Sequence, residues 1–519
     1  MQQVLKVVDE WRERIEDHPL HRWLVAEDDG VPPEDKLWFS LYFTNFIMYF
    51  RELNLYHVSY RDARDADPQR AALSAHADED MTHSRLFMRD FKTLGWDDML
   101  GWRPSEVFHW LFSSAVNESL RRRTTAITKL YIEAQDPAVR YAVVEAVEAC
   151  GNALFRHTKQ LADRYTARTG RELIYWGEYH LHRETGHAVE DDAEGEFERM
   201  ELTPEQRAAA IRRAVRAFEL IDEQNSEMLR LAQETISQGG FDGRRRRFAA
   251  PPTEVEAIEG MEVFDYHFWP SAPHPSQQPV AETLKRCVQR VHDSGALSFF
   301  DPDGMPDMDE ALARLRLALL FIATDTTGTP TVYRYMVPYP FPTTAEERAV
   351  NRLARRFGQR ASMLYVDWAS LGLDERLRWP VSRTLEFIYL DRATESHRDL
   401  RAVITHHIDV TTDPVLRYWT IVALKALTAT YAEAIGGLAA RAEKDIGRPL
   451  PYLSLKLNPS RPELEPDPEA DAVRFEAIAV DDDTARRAAA LIEEIYAAVQ
   501  RRLDGMIEAG RRHEYAGLA

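Results

Sequence analysis

The chain has 519 residues, 45% of them apolar, which is ample for globular packing but too long for a single hydrophobic core; two domains of about 250 residues are expected. Lys and Arg number 65 against 85 Asp and Glu, a formal net charge of −20, which argues against nucleic-acid backbones and anionic membranes as partners. Cys150 and Cys287 are the only cysteines, too few for a disulfide framework or a cysteine-based zinc site.

Residues 1–18 mix Val, Leu and Trp with charged residues at helical spacing and lack the apolar centre of a signal peptide. The most apolar run, Leu37 to Phe50, is about 14 residues long and contains Asn45, too short and too polar to span a bilayer. A soluble, cytoplasmic protein is expected. Helical periodicity then predicts helices over 36–58, 68–94, 106–134, 137–168, 172–187 and 204–236. Turn signals such as Gly30-Val31-Pro32-Pro33, Gly95-Trp96-Asp97-Asp98 and Asp136-Pro137 separate them. The run Arg244-Arg245-Arg246-Arg247 lies between Gly239-Gly240 and Pro251-Pro252, as in a solvated linker. Proline-rich residues 239–280 form that linker, and helical patterning resumes beyond it. No sustained strand alternation occurs, so the fold class is all-α.

The second half repeats the first. One offset of 277 pairs Asp90 with Asp367, Gly95 with Gly372, Ser105 with Ser382, Glu118 with Glu395, Arg140-Tyr141 with Arg417-Tyr418 and Gly170-Arg171 with Gly447-Arg448. One residue later in register, Phe197 pairs with Phe475 and Met228 with Met506. The chain is therefore expected to be a duplicated helical domain, residues 1–238 and 281–519. Residues common to both copies should serve the fold, whereas polar residues found in one copy are candidates for chemistry.

Tyr179-His180-Leu181-His182-Arg183-Glu184-Thr185-Gly186-His187 places His180, Glu184 and His187 on one helical face. Imidazoles flanking a carboxylate at that spacing can share a first-row metal; a solvated charged helix would show the same letters. Upstream, either Glu79 or Asp80 could share an ion with His83. Glu148 stands among Ala and Val, where a carboxylate needs a metal or a cation, with Glu145 one turn earlier as an alternative. His76, His157 and His182 are read as surface or supporting groups. In the second copy His83, Asp80, Glu79, Glu148, His180, Glu184 and His187 become Arg360, Phe357, Arg356, Lys425, Leu457, Arg461 and Leu464. Such joint loss is expected of a set acting as one site. Three carboxylates (Asp80, Glu148, Glu184) and three imidazoles (His83, His180, His187) suit two ferrous or manganous ions better than one zinc. A single structural ion would use part of the set.

On His180-x-x-x-Glu184-x-x-His187, Glu148 about 32 residues before it, and the acidic helix ending in His83 and Asp90-Phe91, the sequence resembles the haem-oxygenase-like diiron oxidases. The resemblance covers residues 30–235 with ligands and 280–515 as fold only. It implies two tandem haem-oxygenase-like bundles, the second degenerate. It also implies two Fe(II) ions (manganese as the variant), O₂ as cosubstrate, an external electron donor, and oxidation of a small organic substrate. An amino-acid-derived amine is favoured, by N-oxygenation or oxidative C–C cleavage; a fatty-acid decarboxylase, a cofactor-independent thiaminase-like enzyme and a non-catalytic scaffold are the alternatives. Members usually place a Glu on the helix of the first His, where this chain has Asp80 with Glu79 adjacent, and other members carry it seven residues before that His, at His76 here, so the first carboxylate stays open. The aromatic helix Phe39, Tyr42, Phe43, Phe46, Met48, Tyr49 and Phe50 is read as bundle core before pocket wall, and the second copy as a docking or dimerisation module.

Overall fold

The computed structural model describes all residues except 61–66, 187–196, 241–250, 252–260, 264–272, 302, 304–306, 327–336, 358–360, 455–456, 460–464 and 513–519. Most of the linker expected at 239–280 thus lies outside the described residues. The chain is predominantly α-helical, with one short antiparallel pairing of β1 (Met261–Val263) and β2 (Leu457–Pro459). It divides into two compact units: Met1–Trp102, Ser114–Ala249 and Pro380–Tyr389 form unit 1, and Arg103–Ser113, Ala250–Trp379 and Leu390–Ala519 form unit 2. Among the described residues no single helix is long and apolar enough to cross a membrane.

From the first half of the sequence come α1 (Gln2–Glu16), α2 (Pro19–Val25), α3 (Phe39–Leu53), α4 (Pro68–Asp80), α5 (His83–Thr93), α6 (Trp96–Leu100), α7 (Pro104–Phe112), α8 (Glu118–Glu133), α9 (Pro137–Thr169), α10 (Glu178–Gly186) and α11 (Pro204–Ser237). The second half supplies α12 (Gln278–Asp293), α13 (Met308–Thr326), α14 (Ala345–Phe357), α15 (Ala361–Ser370), α16 (Leu373–Leu377), α17 (Val381–Tyr389), α18 (Glu395–Asp409), α19 (Pro414–Ile446) and α20 (Asp482–Arg511).

The residues common to both halves hold equivalent positions. Asp136 and Asp413 cap the first turns of α9 and α19 by accepting from backbone N–H groups two residues on. Gly170 and Gly447 end those helices at φ 71° and 65°, a left-handed conformation that costs glycine little. The Arg140 guanidinium donates to the carbonyls of Val58 and Ala134 and covers the Tyr60 ring at 3.9 Å; Arg417 does the same to Val337 and Thr411 and covers Tyr339 at 4.1 Å. Tyr141 stacks on Phe197 and Tyr418 on Phe475, at 4.3 and 4.8 Å between ring centroids.

Each unit is completed by one helix from the other half of the sequence. In unit 1, α17 packs on α3, α5 and α6, and the Ser382 N–H and hydroxyl both donate to the Asp97 carboxylate, at 2.7 Å each. In unit 2, α7 packs on α16, and Ser105 makes the equivalent pair with Asp374, at 3.0 and 2.6 Å. Contiguous halves were expected from the repeat; in the structure the same Ser–Asp pairing seats each of these helices in the unit built mainly from the other half.

Three expected helices are interrupted. Residues 68–94 form α4 and α5 with a break at Met81-Thr82, where the Thr82 hydroxyl donates to the Glu79 carbonyl and competes with helix continuation. The 106–134 segment is split between α7 and α8 by Ser113 and Ser114, the latter capping a 3₁₀ turn at Val116. The 172–187 helix begins only at Glu178, because the N–H groups of Ile174, Tyr175 and Trp176 are taken by the Asp90 carboxylate at 2.7–3.0 Å. Asp367 likewise accepts from the N–H groups of Tyr452 and Leu453.

Candidate metal centre

The centre lies in unit 1, between the last turn of α4, the middle of α9 and the start of α5. His76 and Asp80 are one turn apart on α4, so both side chains face the same way. His76 Nε2 lies 3.3 Å from Asp80 Oδ2 and 3.6 Å from Glu148 Oε1 on α9. One donor atom from each of these three residues lies within 4.8 Å of the others, close enough to surround one cation. Burial alone would lower the His76 pKa, but the two carboxylates hold it well above the ordinary histidine value. The two carboxylates thus favour the imidazolium form of His76, and a bound cation would take that proton's place.

His83 opens α5 beside the triad, its Nδ1 3.9 Å from Asp80 Oδ1. The break at Met81-Thr82 means that Asp80 and His83 do not share one continuous helix, as had been expected, yet they still converge. His180 on α10 is fully buried and meets His83 edge-on, with ring centroids 4.5 Å apart. Its Nδ1 lies 2.9 Å from the Tyr175 carbonyl. With Nδ1 donating, Nε2 carries the ring's lone pair, the tautomer a metal ligand needs. Asp90 pins the backbone of 174–176, and so fixes the carbonyl that fixes His180.

Glu79 is exposed on the outer face of α4 and is not among the residues brought together; the helix phase turns it away while Asp80 turns inward. Of the two carboxylates it is Asp80 that lies beside His76, Glu148 and His83. His76, read from sequence as a supporting group, stands instead inside the cluster. Glu148 is partly exposed, at 24%, rather than buried as expected, because it faces a cavity. His182 is exposed, and His157 stacks on His21 at 4.9 Å, away from the triad's contacts. The Glu184 side chain and His187 lie outside the described residues. Tyr131 of α8, which the sequence did not single out, is buried; burial, and then the Glu148 and Asp80 charges, push its phenol well above the usual value.

A cavity opens onto this centre. It measures about 60 Å³, in a measure where one water needs about 10–15 Å³. Phe43, Phe46 and Phe50 of α3 wall one side, and His83 and Glu148 reach it from the centre. The aromatic helix is therefore core and wall at once: Phe39 packs against Trp176 at 5.1 Å while the other three rings face the opening.

The donor set is hard to borderline: one imidazole and two carboxylates close together, with two further imidazoles adjacent. Such a set could hold a first-row divalent cation. No family model matches the sequence, and no curated protein matches it.

Proposed function

We propose that the protein is a non-haem iron oxidoreductase that uses O₂ to oxidise a small organic molecule, built as two tandem haem-oxygenase-like bundles of which only the first binds metal. The observation that carries this reading is the convergence of His76, Asp80 and Glu148, with one donor atom of each within 4.8 Å of the others, beside His83 and His180. His76, Asp80 and Glu148 would hold one ion, and His83 and His180 would contribute to a second. Bound iron would supply the O₂ activation and redox chemistry that no side chain here supplies.

The chain's own residues do the rest. Asp80 and Glu148 would offset the positive charge of a bound cation. The Tyr175 carbonyl holds His180 in its ligating tautomer. Phe43, Phe46 and Phe50 exclude water from the cavity and give an apolar body a surface to lie against.

Anaerobic titration of the full chain with Fe(II), followed by metal analysis and O₂-consumption measurements, tests the proposal. About two irons per chain and iron-dependent O₂ uptake are expected; fewer than one iron per chain refutes it. The imidazolium between two carboxylates favours a second reading, a metal-free acid–base site. That reading requires turnover to survive thorough chelation.

A further inference from the structure

The α11 wall of the cavity carries two side-chain amides, Gln224 and Asn225, which are 3% and 2% exposed. Gln224 Oε1 and Asn225 Nδ2 meet no hydrogen-bond partner among the described residues. A buried acceptor and a buried donor left unmade each cost about 1–3 kcal/mol. Two adjacent ones in the wall of the same cavity mark a place where something else completes the bonding.

The charged groups around the cavity limit what that can be. Glu148 and His83 are its ionisable groups at the metal end, and neither Lys nor Arg lines it. A carboxylate ligand would find no cation apart from the metal centre, and an ammonium near Gln224 and Asn225 would meet one acceptor and one donor rather than an anion. Burying either charge without a partner is costly. A neutral group that both donates and accepts satisfies both amides at once: its N–H or O–H to Gln224 Oε1, its oxygen from Asn225 Nδ2. Phe43, Phe46 and Phe50 would cover an apolar remainder.

The second half of the chain supports a ligand role for the pair. At the later register that aligns Met228 with Met506, Gln224 and Asn225 correspond to Arg502 and Leu503. Arg502 is buried there, with its guanidinium 5.1 Å over the Tyr431 ring. The copy that lacks the metal donors lacks the amide pair as well.

We infer that Gln224 and Asn225 are specificity-determining residues that select an uncharged, mostly apolar ligand bearing one donor–acceptor group of the primary-amide or alcohol class. The inference rests on the proposed oxidase only in calling that ligand a substrate.

The test uses the full chain, metal-free, so that failure of the iron reading leaves it standing. Binding of hexanamide and benzamide is compared by calorimetry and saturation-transfer NMR with that of hexanoate, benzoate, hexylamine and benzylamine. The amides should bind at least tenfold tighter than either charged congener, and Gln224→Met and Asn225→Leu should each weaken them about tenfold. Gln224→Glu should shift preference toward the amines, a gain that a merely misfolded variant cannot show. Equal or tighter binding of a charged congener, unchanged amide binding in the variants, no gain for the amines in Gln224→Glu, or no amide binding at all overturns the inference.

Discussion

Replacing Asp90 with asparagine should weaken metal binding without touching a ligand. Asp90 accepts three backbone N–H groups, from Ile174, Tyr175 and Trp176, at 2.7, 2.9 and 3.0 Å. Asparagine keeps one acceptor oxygen and puts an NH₂ where the other oxygen stood. One or two N–H groups then lose their partner, at about 1–3 kcal/mol each. Burial pushes the Asp90 carboxyl up to about 6, so no longer burying an anion offsets part of the loss. The net cost should be about 1–3 kcal/mol of unit 1 stability. The larger effect is positional: the freed loop releases the Tyr175 carbonyl, and His180 loses the bond that holds its ring. Losing such an outer bond typically weakens metal affinity 10–100-fold. Asp367→Asn is the matched control, because Asp367 holds Tyr452 and Leu453 in the same way in a unit where no such cluster occurs among the described residues. Cobalt(II) titration followed by its visible bands, with urea unfolding of each variant, reads both effects. If the two variants lower cobalt affinity equally, or if Asp90→Asn leaves it unchanged, the link from Asp90 to His180 is wrong.

His76→Ala should lose at least tenfold in cobalt affinity while Glu79→Ala stays within twofold, since one faces the cluster and the other faces solvent; a reversed order would return Glu79 to the site. Burial, then the neighbouring His157 and His18, lower the His21 pKa to about 3. The native state therefore resists a proton that the unfolded chain takes up near 6.5, so this contribution is complete above about pH 6.5 and declines as pH falls toward 3. At roughly 1.4 kcal/mol per unit the loss reaches at most about 5 kcal/mol. His21→Phe should flatten urea-denaturation stability between pH 4 and 6.5, and a profile as steep as that of the original chain would contradict it. A chain ending near residue 240 should be less soluble than the full chain, because it lacks α17, whose Leu385, Phe387 and Ile388 are buried in unit 1; equal solubility by sedimentation would show that α7 can take the vacant place.

Much of the helical framework was legible because its signals are local. Asp136, Asp413, Gly170 and Gly447 announce helix ends by their own chemistry, and the 277-residue offset makes each signal visible twice. What sequence spacing missed were the long-range substitutions for helical hydrogen bonds. Asp90 lies some 85 residues from the N–H groups it takes, so nothing near 172 warned that the helix would start six residues late. The exchange of α7 and α17 was hidden for the opposite reason: Ser105 and Ser382 are the same residue, as are Asp97 and Asp374, so the letters do not say which pairs with which. His76 was read as a surface or supporting group, yet one turn before Asp80 it is well placed to face the same centre.

His76 corresponds to Leu353, just as Asp80 corresponds to Phe357 and Glu148 to Lys425. Gln224 and Asn225, found only through the cavity, correspond to Arg502 and Leu503. These five residues come from three helices far apart in sequence, and all of their counterparts have lost the capacity to bind a cation or present an uncharged amide. By contrast, Asp90, Arg140, Tyr141, Ser105 and Phe197 share both identity and geometry with their counterparts Asp367, Arg417, Tyr418, Ser382 and Phe475. A general relaxation of packing would have eroded both sets alike. The two sets separate along one line, between groups that hold helices together and groups that converge on the His76–Asp80–Glu148 cluster and its cavity.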